Sequence, residues 1–327
     1  MSSIGLVSTL GNDERYRRAF GLLCILVAAV SFGSLGTTMT MAARVGITPL
    51  SFTFVRATGG AIVLLLLATA RHERFSLPGG ERLAFAILVC VSAVVSISLN
   101  AAYAIAPVAL VSCVFYLYPA LIAIIASVRH EERLGRAGVL GVGAIVVGIA
   151  LLALGQAGAG VVIVPIGIAL AAMAAIAQTA YFRAGVLVRS MPPFLLAGTV
   201  LAASAVITLA VTILSEGTAS ISALSRPDAL VPLVWAAVIT AALAMTALLV
   251  GIRLVGATAS AVIMLGEPIT NAIAGKVLLG QPLPLLAVAG MALLVAGAAR
   301  IFSRRMSTPV ELIVPHNSAS DILPMID

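Results

Sequence analysis

Two stretches that lie 149 residues apart align without a gap: YPALIAIIASVRHEERLGRAGVLGVGAIVVGIA, residues 118–150, and EPITNAIAGKVLLGQPLPLLAVAGMALLVAGAA, residues 267–299. In this alignment the informative matches are those between prolines and between glycines: Pro119 with Pro268, Gly141 with Gly290, and Gly148 with Gly297. Apolar sequences match easily by chance, so these proline and glycine coincidences carry the inference. They indicate that the chain is built from two repeated halves.

The composition predicts that both halves lie in a membrane. Hydrophobic residues make up 61% of the 327 residues and charged residues only 9%, which is more apolar surface than a soluble core could bury. A helix needs about 20 apolar residues to cross the hydrocarbon core. The sequence divides into about ten such spans, namely residues 20–42, 47–70, 83–104, 108–128, 137–155, 165–182, 194–214, 231–252, 256–278 and 283–302.

We therefore predict an all-α polytopic membrane protein. An odd number of spans in each half makes the second half enter the bilayer from the opposite side, so the ten transmembrane helices form two inverted five-helix repeats. The expected parts are a cytoplasmic N-terminal segment, the first repeat, a periplasmic linker, the second repeat, and a disordered cytoplasmic tail. Their ranges are residues 1–19, 20–155, 156–164, 165–302 and 303–327.

The positive residues predict the orientation. Fifteen of the nineteen Lys and Arg residues fall on one side of the membrane when loops are assigned alternately, and the positive-inside rule places that side and both termini in the cytoplasm. The formal charge of +7 then reflects topology and attraction to anionic lipid headgroups, not a nucleic-acid surface. Arg outnumbers Lys by 18 to 1, a bias typical of GC-rich bacterial genomes, so we expect the bacterial inner membrane.

Four short motifs occur in a fixed order along the chain. They are Arg56 in the second span, the stretch from Tyr103 to Pro119, Glu132-Arg133-Leu134, and Glu267-Pro268 followed by Gly280. On these motifs the chain resembles the EamA-type transporters of the drug/metabolite transporter superfamily, although Gln281 stands where the family usually has glutamate. The resemblance implies ten helices in two halves and secondary transport of small metabolites, amino acids or drugs, often export, through a central cavity.

Several spans also carry polar residues on a single helical face. These are Ser31, Ser34 and Thr38; Ser92, Ser96, Asn100 and Tyr103; Ser204, Thr208 and Thr212; and Ser260, Met264, Glu267 and Asn271. Such stripes avoid lipid and are expected to surround a wet centre. Pro119 and Pro268 lack an N–H, so the carbonyls of Phe115 and Met264 need other partners, as in broken helices beside a binding site.

Two ionisable residues lie at membrane depth. Glu267 is the only acidic residue within a predicted span, and Arg56 is the only cation near a span centre. Charges inside a bilayer are costly and often functional. We interpret Glu267 as a proton or substrate-amine site, and Arg56 as an anchor for a substrate carboxylate or as the partner of Glu267. The alternative is a buried ion pair that only fixes helix packing.

The remaining candidates are uncharged: Asn100, Tyr103, Tyr116, Gln178 and Asn271. They are expected to contact a substrate or a proton carrier, although hydrogen bonds between helices explain such amides equally well. The cysteines and histidines lack ligand spacing, so no metal or cofactor is expected. No phosphate-binding loop or nucleophile–base pair is visible, so we do not expect an enzyme.

The expected partners are a small-molecule substrate and the lipid bilayer, and no nucleic acid. Proton coupling and an oligomer are compatible with the sequence. Two other functions stay open at this point: a non-transporting membrane scaffold or receptor, and a membrane-embedded enzyme. The scaffold would show no substrate-dependent flux. The enzyme would need a second acid, a histidine or a nucleophile near Glu267.

Overall fold

The computed structural model describes residues 3–129, 135–162, 164–185, 187–255, 260 and 263–305, and the regular structure within these ranges is entirely helical. The first-half α-helices are α1 (Ser3–Phe32), α2 (Leu35–Arg44), α3 (Pro49–Ala70), α4 (Arg82–Ile105), α5 (Val108–Phe115), α6 (Tyr118–Val128) and α7 (Gly135–Gly158). The second-half α-helices are α8 (Pro165–Gly185), α9 (Pro193–Glu216), α10 (Ala219–Ser222), α11 (Leu230–Ala237), α12 (Ala244–Val255), α13 (Gly266–Leu279) and α14 (Leu285–Arg305).

A π-helix, Val238–Leu243, joins α11 to α12, and 3₁₀ turns occupy Gly79–Glu81, Ala223–Ser225 and Pro227–Ala229. Within the described ranges, eight helical segments are long and apolar enough to cross a membrane, and Leu285–Arg300 is a shorter apolar helix. This confirms an all-helical membrane protein. The prediction of ten spans stays a prediction, because residues 256–259 and 261–262 of the expected ninth span lie outside the described residues.

The structure differs from the sequence prediction at three places. Helix α1 begins at Ser3, well before the expected start at Phe20, so much of the predicted N-terminal segment 1–19 is helical. The first predicted span is divided in two, because α1 ends at Phe32 and α2 begins at Leu35. The last helix continues to Arg305, and the rest of the predicted tail lies outside the described part of the chain.

The helices pack in pairs that link the two halves. The most extensive contacts join α7 to α14, α3 to α9, α4 to α8, and α1 to α12, and α5 contacts α13. In the predicted repeat, α7 corresponds to α14 and α3 to α9. Helix α1 likewise corresponds to α8, and α4 to α12. The pair of α1 with α12 is therefore equivalent to the pair of α8 with α4. The packing pattern is therefore the same from either half.

The contact between α7 and α14 shows why the repeat keeps its glycines. A methyl group on Gly148 would lie 2.5 Å from the carbonyl oxygen of Gly290, and a methyl group on Gly297 would lie 2.6 Å from that of Gly141. Residue numbers rise along one helix as they fall along the other, so the helices are antiparallel. Small residues allow backbones to approach closely where lipid removes the hydrophobic drive for packing.

Candidate functional site

The break before α13 places the carboxyl group of Glu267 beside a backbone carbonyl that lacks its usual partner within the helix. Pro268 lies in the first turn of α13 and has no N–H, so it cannot bond the carbonyl of Met264 one turn earlier. The Tyr116 hydroxyl donates a hydrogen bond to that carbonyl, with Oη 2.8 Å from the Met264 oxygen, and Oη also lies 3.0 Å from Oε2 of Glu267. Glu267 is buried. The Met264 carbonyl thus has the other partner that the sequence predicts it to need, and that partner comes from the end of α5, which is distant in sequence.

A matching break divides the fourth predicted span. Helix α5 ends at Phe115 and α6 begins at Tyr118, with Pro119 in the first turn of α6. Proline suits a first turn because the N–H groups there have no partner within the helix. Tyr116 lies in this break, so the irregular segments of both repeats meet at one hydrogen-bonded point. Both breaks lie at the prolines that the sequence alignment pairs.

Arg56 is held by the neutral π-helix and not by an acid. Its Nε donates to Oγ1 of Thr240 at 3.2 Å and its Nη2 donates to the Thr240 carbonyl at 3.1 Å. π-Helical turns often occur at functional sites. Arg226 and Asp228 form an ion pair at the surface, whereas Arg56 and Glu267 do not approach within 4 Å of each other. The predicted partnership between them is therefore not formed in this structure.

Asn100 lies on α4 and bonds the helix that carries Arg56. Its Nδ2 donates to Oγ1 of Thr53 at 2.8 Å, and that threonine donates in turn to the carbonyl of Pro49 at 2.7 Å. This arrangement fixes the orientation of the Asn100 amide. Because the single proton of the Thr53 hydroxyl is donated to Pro49, its oxygen can only accept, so the amide nitrogen and not the amide oxygen must face it. Oδ1 of Asn100 is then left without a partner in the described part of the chain, although the residue is 1% exposed.

Asn271 and Tyr103 join four helical segments. The amide oxygen of Asn271 accepts from the backbone N–H of Gly36 at 3.3 Å, and its Nδ2 donates to the Tyr103 hydroxyl at 3.3 Å. That hydroxyl also lies 3.0 Å from Oγ of Ser112 on α5. The three side chains are almost fully buried. Of the predicted candidates, Tyr103 and Asn271 thus bond each other and Tyr116 bonds Glu267. Arg56 lies on α3, and Asn100 bonds that helix.

Two sets of predicted residues lie apart from these contacts. Gln178 is half-buried on α8 and makes no hydrogen bond to another described residue, so the structure does not connect it to this region. On α9, the hydroxyl of Thr208 donates to the Ser204 carbonyl and that of Thr212 donates to the Thr208 carbonyl, both at 2.7 Å, while Oγ of Ser204 has no partner among the described residues. The expected place of this stripe around a wet centre stays a prediction.

A cavity of about 220 Å³ opens at one end of α4. Its walls are Thr40, Tyr103, Ala104, Ile105, Ala106, Pro107, Gln156, Val161, Gln281 and Pro282. Oε1 of Gln281 accepts from the first N–H of α5, at Val108, over 3.1 Å. The neutral amide therefore caps a helix at the position where the resembled family usually has glutamate. Tyr103 belongs both to this cavity and to the network of Asn271.

Sequence reasoning missed three residues that complete the site: Thr53, Ser112 and Thr240. Thr53 precedes Arg56 by three residues and Ser112 precedes Tyr116 by four, so each shares a helical face with a predicted residue. That spacing could have found them. Thr240 could not have been found in this way, because it lies in the π-helix, which meets α3 only through tertiary packing. Across the described ranges, no cluster of three or more His, Cys, Asp or Glu side chains is arranged to hold a metal ion.

Comparison with known proteins identifies the family of the chain. The model of the EamA-like transporter family matches the chain twice, over residues 19–154 and 165–303. A solved structure titled "Crystal structure of protein" has 22% sequence identity and a TM-score of 0.61, and the match covers 88% of this chain and 99% of the other. At that identity the likeness concerns the fold alone. No curated protein matches the chain. The two family matches cover most of its length, and the chain therefore belongs to the EamA-like transporter family.

Proposed function

We propose that this chain is a secondary transporter that exports small metabolites, amino acids or drugs across the bacterial inner membrane. Transport proceeds by alternating access around the polar region of Glu267 and Arg56. In this proposal ten spans form two inverted five-helix halves with both termini in the cytoplasm. The antiparallel contact between α7 and α14, which are equivalent helices of the two halves, supports the inversion.

The observation that carries the proposal is that Arg56 and Glu267, both within predicted spans, form no direct ion pair with each other and bond neutral groups instead. A purely structural pair would use both charges, because an unpaired charge is costly in this environment. Here the guanidinium bonds Thr240 and the carboxyl group bonds Tyr116. Both charges are thus left for a substrate or a proton. Arg56 would bind an anionic group, and Glu267 would bind a proton or an amine.

Uncharged residues supply the rest of the proposed site. The unpartnered Oδ1 of Asn100 can accept a hydrogen bond from a substrate donor. Tyr103 and Asn271 brace α4 against α13 and α2, so they hold the walls of the site. The cavity beside Tyr103 lies at the predicted periplasmic end and offers a path for release. Discontinuous helices at a binding site are a recurring feature of secondary transporters.

Flux measurements in proteoliposomes test the proposal. Purified protein would be reconstituted and offered a panel of labelled amino acids and cationic drugs, with and without an imposed pH gradient. We expect at least one solute to cross faster than in protein-free liposomes. Arg56→Gln should slow solutes that carry a carboxylate, whereas Arg226→Gln, at an exposed surface pair, should not. Flux equal to that of protein-free liposomes for every solute would favour a scaffold or receptor.

A further inference from the structure

The Tyr116 hydroxyl lies between two acceptors but carries a single proton. Its oxygen is 2.8 Å from the carbonyl of Met264 and 3.0 Å from Oε2 of Glu267. A backbone carbonyl can only accept, and an ionised carboxylate can only accept, whereas a protonated carboxyl can donate. The state of Glu267 therefore decides whether both contacts can be full hydrogen bonds.

Two arrangements follow from this count of protons. When Glu267 is protonated, its O–H donates to Tyr116 Oη, and the tyrosine O–H donates to the Met264 carbonyl, so every group is satisfied. When Glu267 is ionised, the tyrosine proton turns to the carboxylate, because hydrogen bonds to charged acceptors are stronger. The Met264 carbonyl then loses its partner, and Pro268 cannot replace it.

We propose that Tyr116 is the positioning residue through which the proton on Glu267 controls the helix break at Leu265. This inference rests on the proposed function in that it takes Glu267 as the group that gains and loses the proton. Protonation closes the chain from Glu267 through Tyr116 to Met264 and fixes α13 against α5. Loss of the proton frees the Met264 carbonyl from its hydrogen bond, and the break loosens. The broken helix can then change its position during transport.

The other ionisable groups near Glu267 do not bond both its carboxyl group and the helix break. Arg56 on α3 acts on Glu267 through space, while Tyr103 on α4 bonds Ser112 and Asn271 and Tyr118 on α6 stacks on Phe182. Helix α13 also packs against α1, α2 and α5. On α2, Arg44 bonds the Leu279 carbonyl at the opposite end of α13, and on α5 the Cys113 thiol acts on Tyr103. Tyr116 is the group that hydrogen-bonds both Glu267 and the break.

Tyr118 provides a matched control for Tyr116. Both are tyrosines of the same helix break, and their ring centres lie 5.5 Å apart. The Tyr118 ring stacks on Phe182 at 5.5 Å, and its hydroxyl has no hydrogen bond to a described residue. Tyr118→Phe therefore removes a hydroxyl from the same environment without touching the chain from Glu267 to Met264.

Hydrogen–deuterium exchange of residues 263–272 in nanodiscs at several pH values tests the proposal, with residues 285–300 of α14 correcting for the intrinsic pH dependence. An unpaired buried carbonyl changes a local equilibrium by about 5- to 150-fold. In the wild type we expect corrected exchange to rise by such a factor as pH rises. Tyr116→Phe should exchange fast at every pH, and Tyr118→Phe should behave as the wild type.

Glu267→Gln should exchange slowly at every pH, because the glutamine amide donates permanently to Tyr116. A wild-type pH profile in Tyr116→Phe would overturn the proposal, and so would a remaining pH dependence in Glu267→Gln. Should Tyr116→Phe fail to fold, the Glu267→Gln profile still decides. If the exchange profiles are as expected but no solute is transported, the proposed function is refuted and this inference stands. If a solute is transported but the exchange profiles differ from those expected, this inference is refuted and the proposed function stands.

Discussion

Replacing Gly148 by alanine should destabilise the contact between α7 and α14. The added methyl group would lie 2.5 Å from the Gly290 carbonyl oxygen and 2.8 Å from the Leu294 nitrogen. Non-bonded atoms rest at about 3.5–4.0 Å, so the helices must separate by roughly 1 Å. Overpacking of this kind costs about 1–3 kcal/mol, while alanine in a helix regains up to about 1 kcal/mol over glycine.

Gly143→Ala separates these two effects. Gly143 lies on the same helix, and a methyl group there would meet nothing within 4 Å. The propensity gain is shared, so the difference between the variants isolates the steric cost of about 1–3 kcal/mol. Unfolding by SDS in mixed micelles, followed through the single tryptophan, Trp235, measures it. If Gly148→Ala proves as stable as Gly143→Ala, the close contact between the two halves is not present.

Three further predictions concern topology, charge and capping. A reporter fused at Arg305 should be cytoplasmic and one within residues 215–228 periplasmic; finding both on one side would contradict the inversion. Because Arg56 and Glu267 form no direct ion pair, the double variant of Arg56→Gln and Glu267→Gln should not regain the stability that the single variants lose, and a rescue would reveal a pair. Gln281→Ala should cost about 1 kcal/mol by uncapping α5, whereas Gln281→Glu should not; equal SDS unfolding of the two would rule out the cap.

The sequence was informative wherever a residue's own chemistry determines the backbone. The glycines that align between the repeats, Gly141 with Gly290 and Gly148 with Gly297, lie at the closest approach of α7 and α14, where a side chain has no room. Pro119 and Pro268 lie at helix breaks for an equally local reason, the missing N–H. Such signals need no knowledge of the neighbouring helices, so they can be read from a single chain.

The partners of the buried groups could not be read in this way. Pro268 predicts that the Met264 carbonyl lacks its usual bond, but the group that replaces it, Tyr116, is distant in sequence and reaches it only through tertiary packing. Arg56 bonds Thr240, which lies 184 residues further along the chain in a π-helix, and no local pattern predicts that contact. A sequence pattern also cannot show that the threonine hydroxyls of α9 bond their own helix.

We propose that the proton on Glu267 is the one that couples a pH gradient to transport, and gradient-driven accumulation in inside-out vesicles tests this most directly. Wild-type protein, Glu267→Gln and the surface control Asp228→Asn would be compared for a solute found to be transported. We predict that Glu267→Gln abolishes accumulation driven by the pH gradient while it retains solute exchange, and that Asp228→Asn keeps both. Unchanged gradient-driven accumulation in Glu267→Gln would contradict the claim and assign the proton to another group.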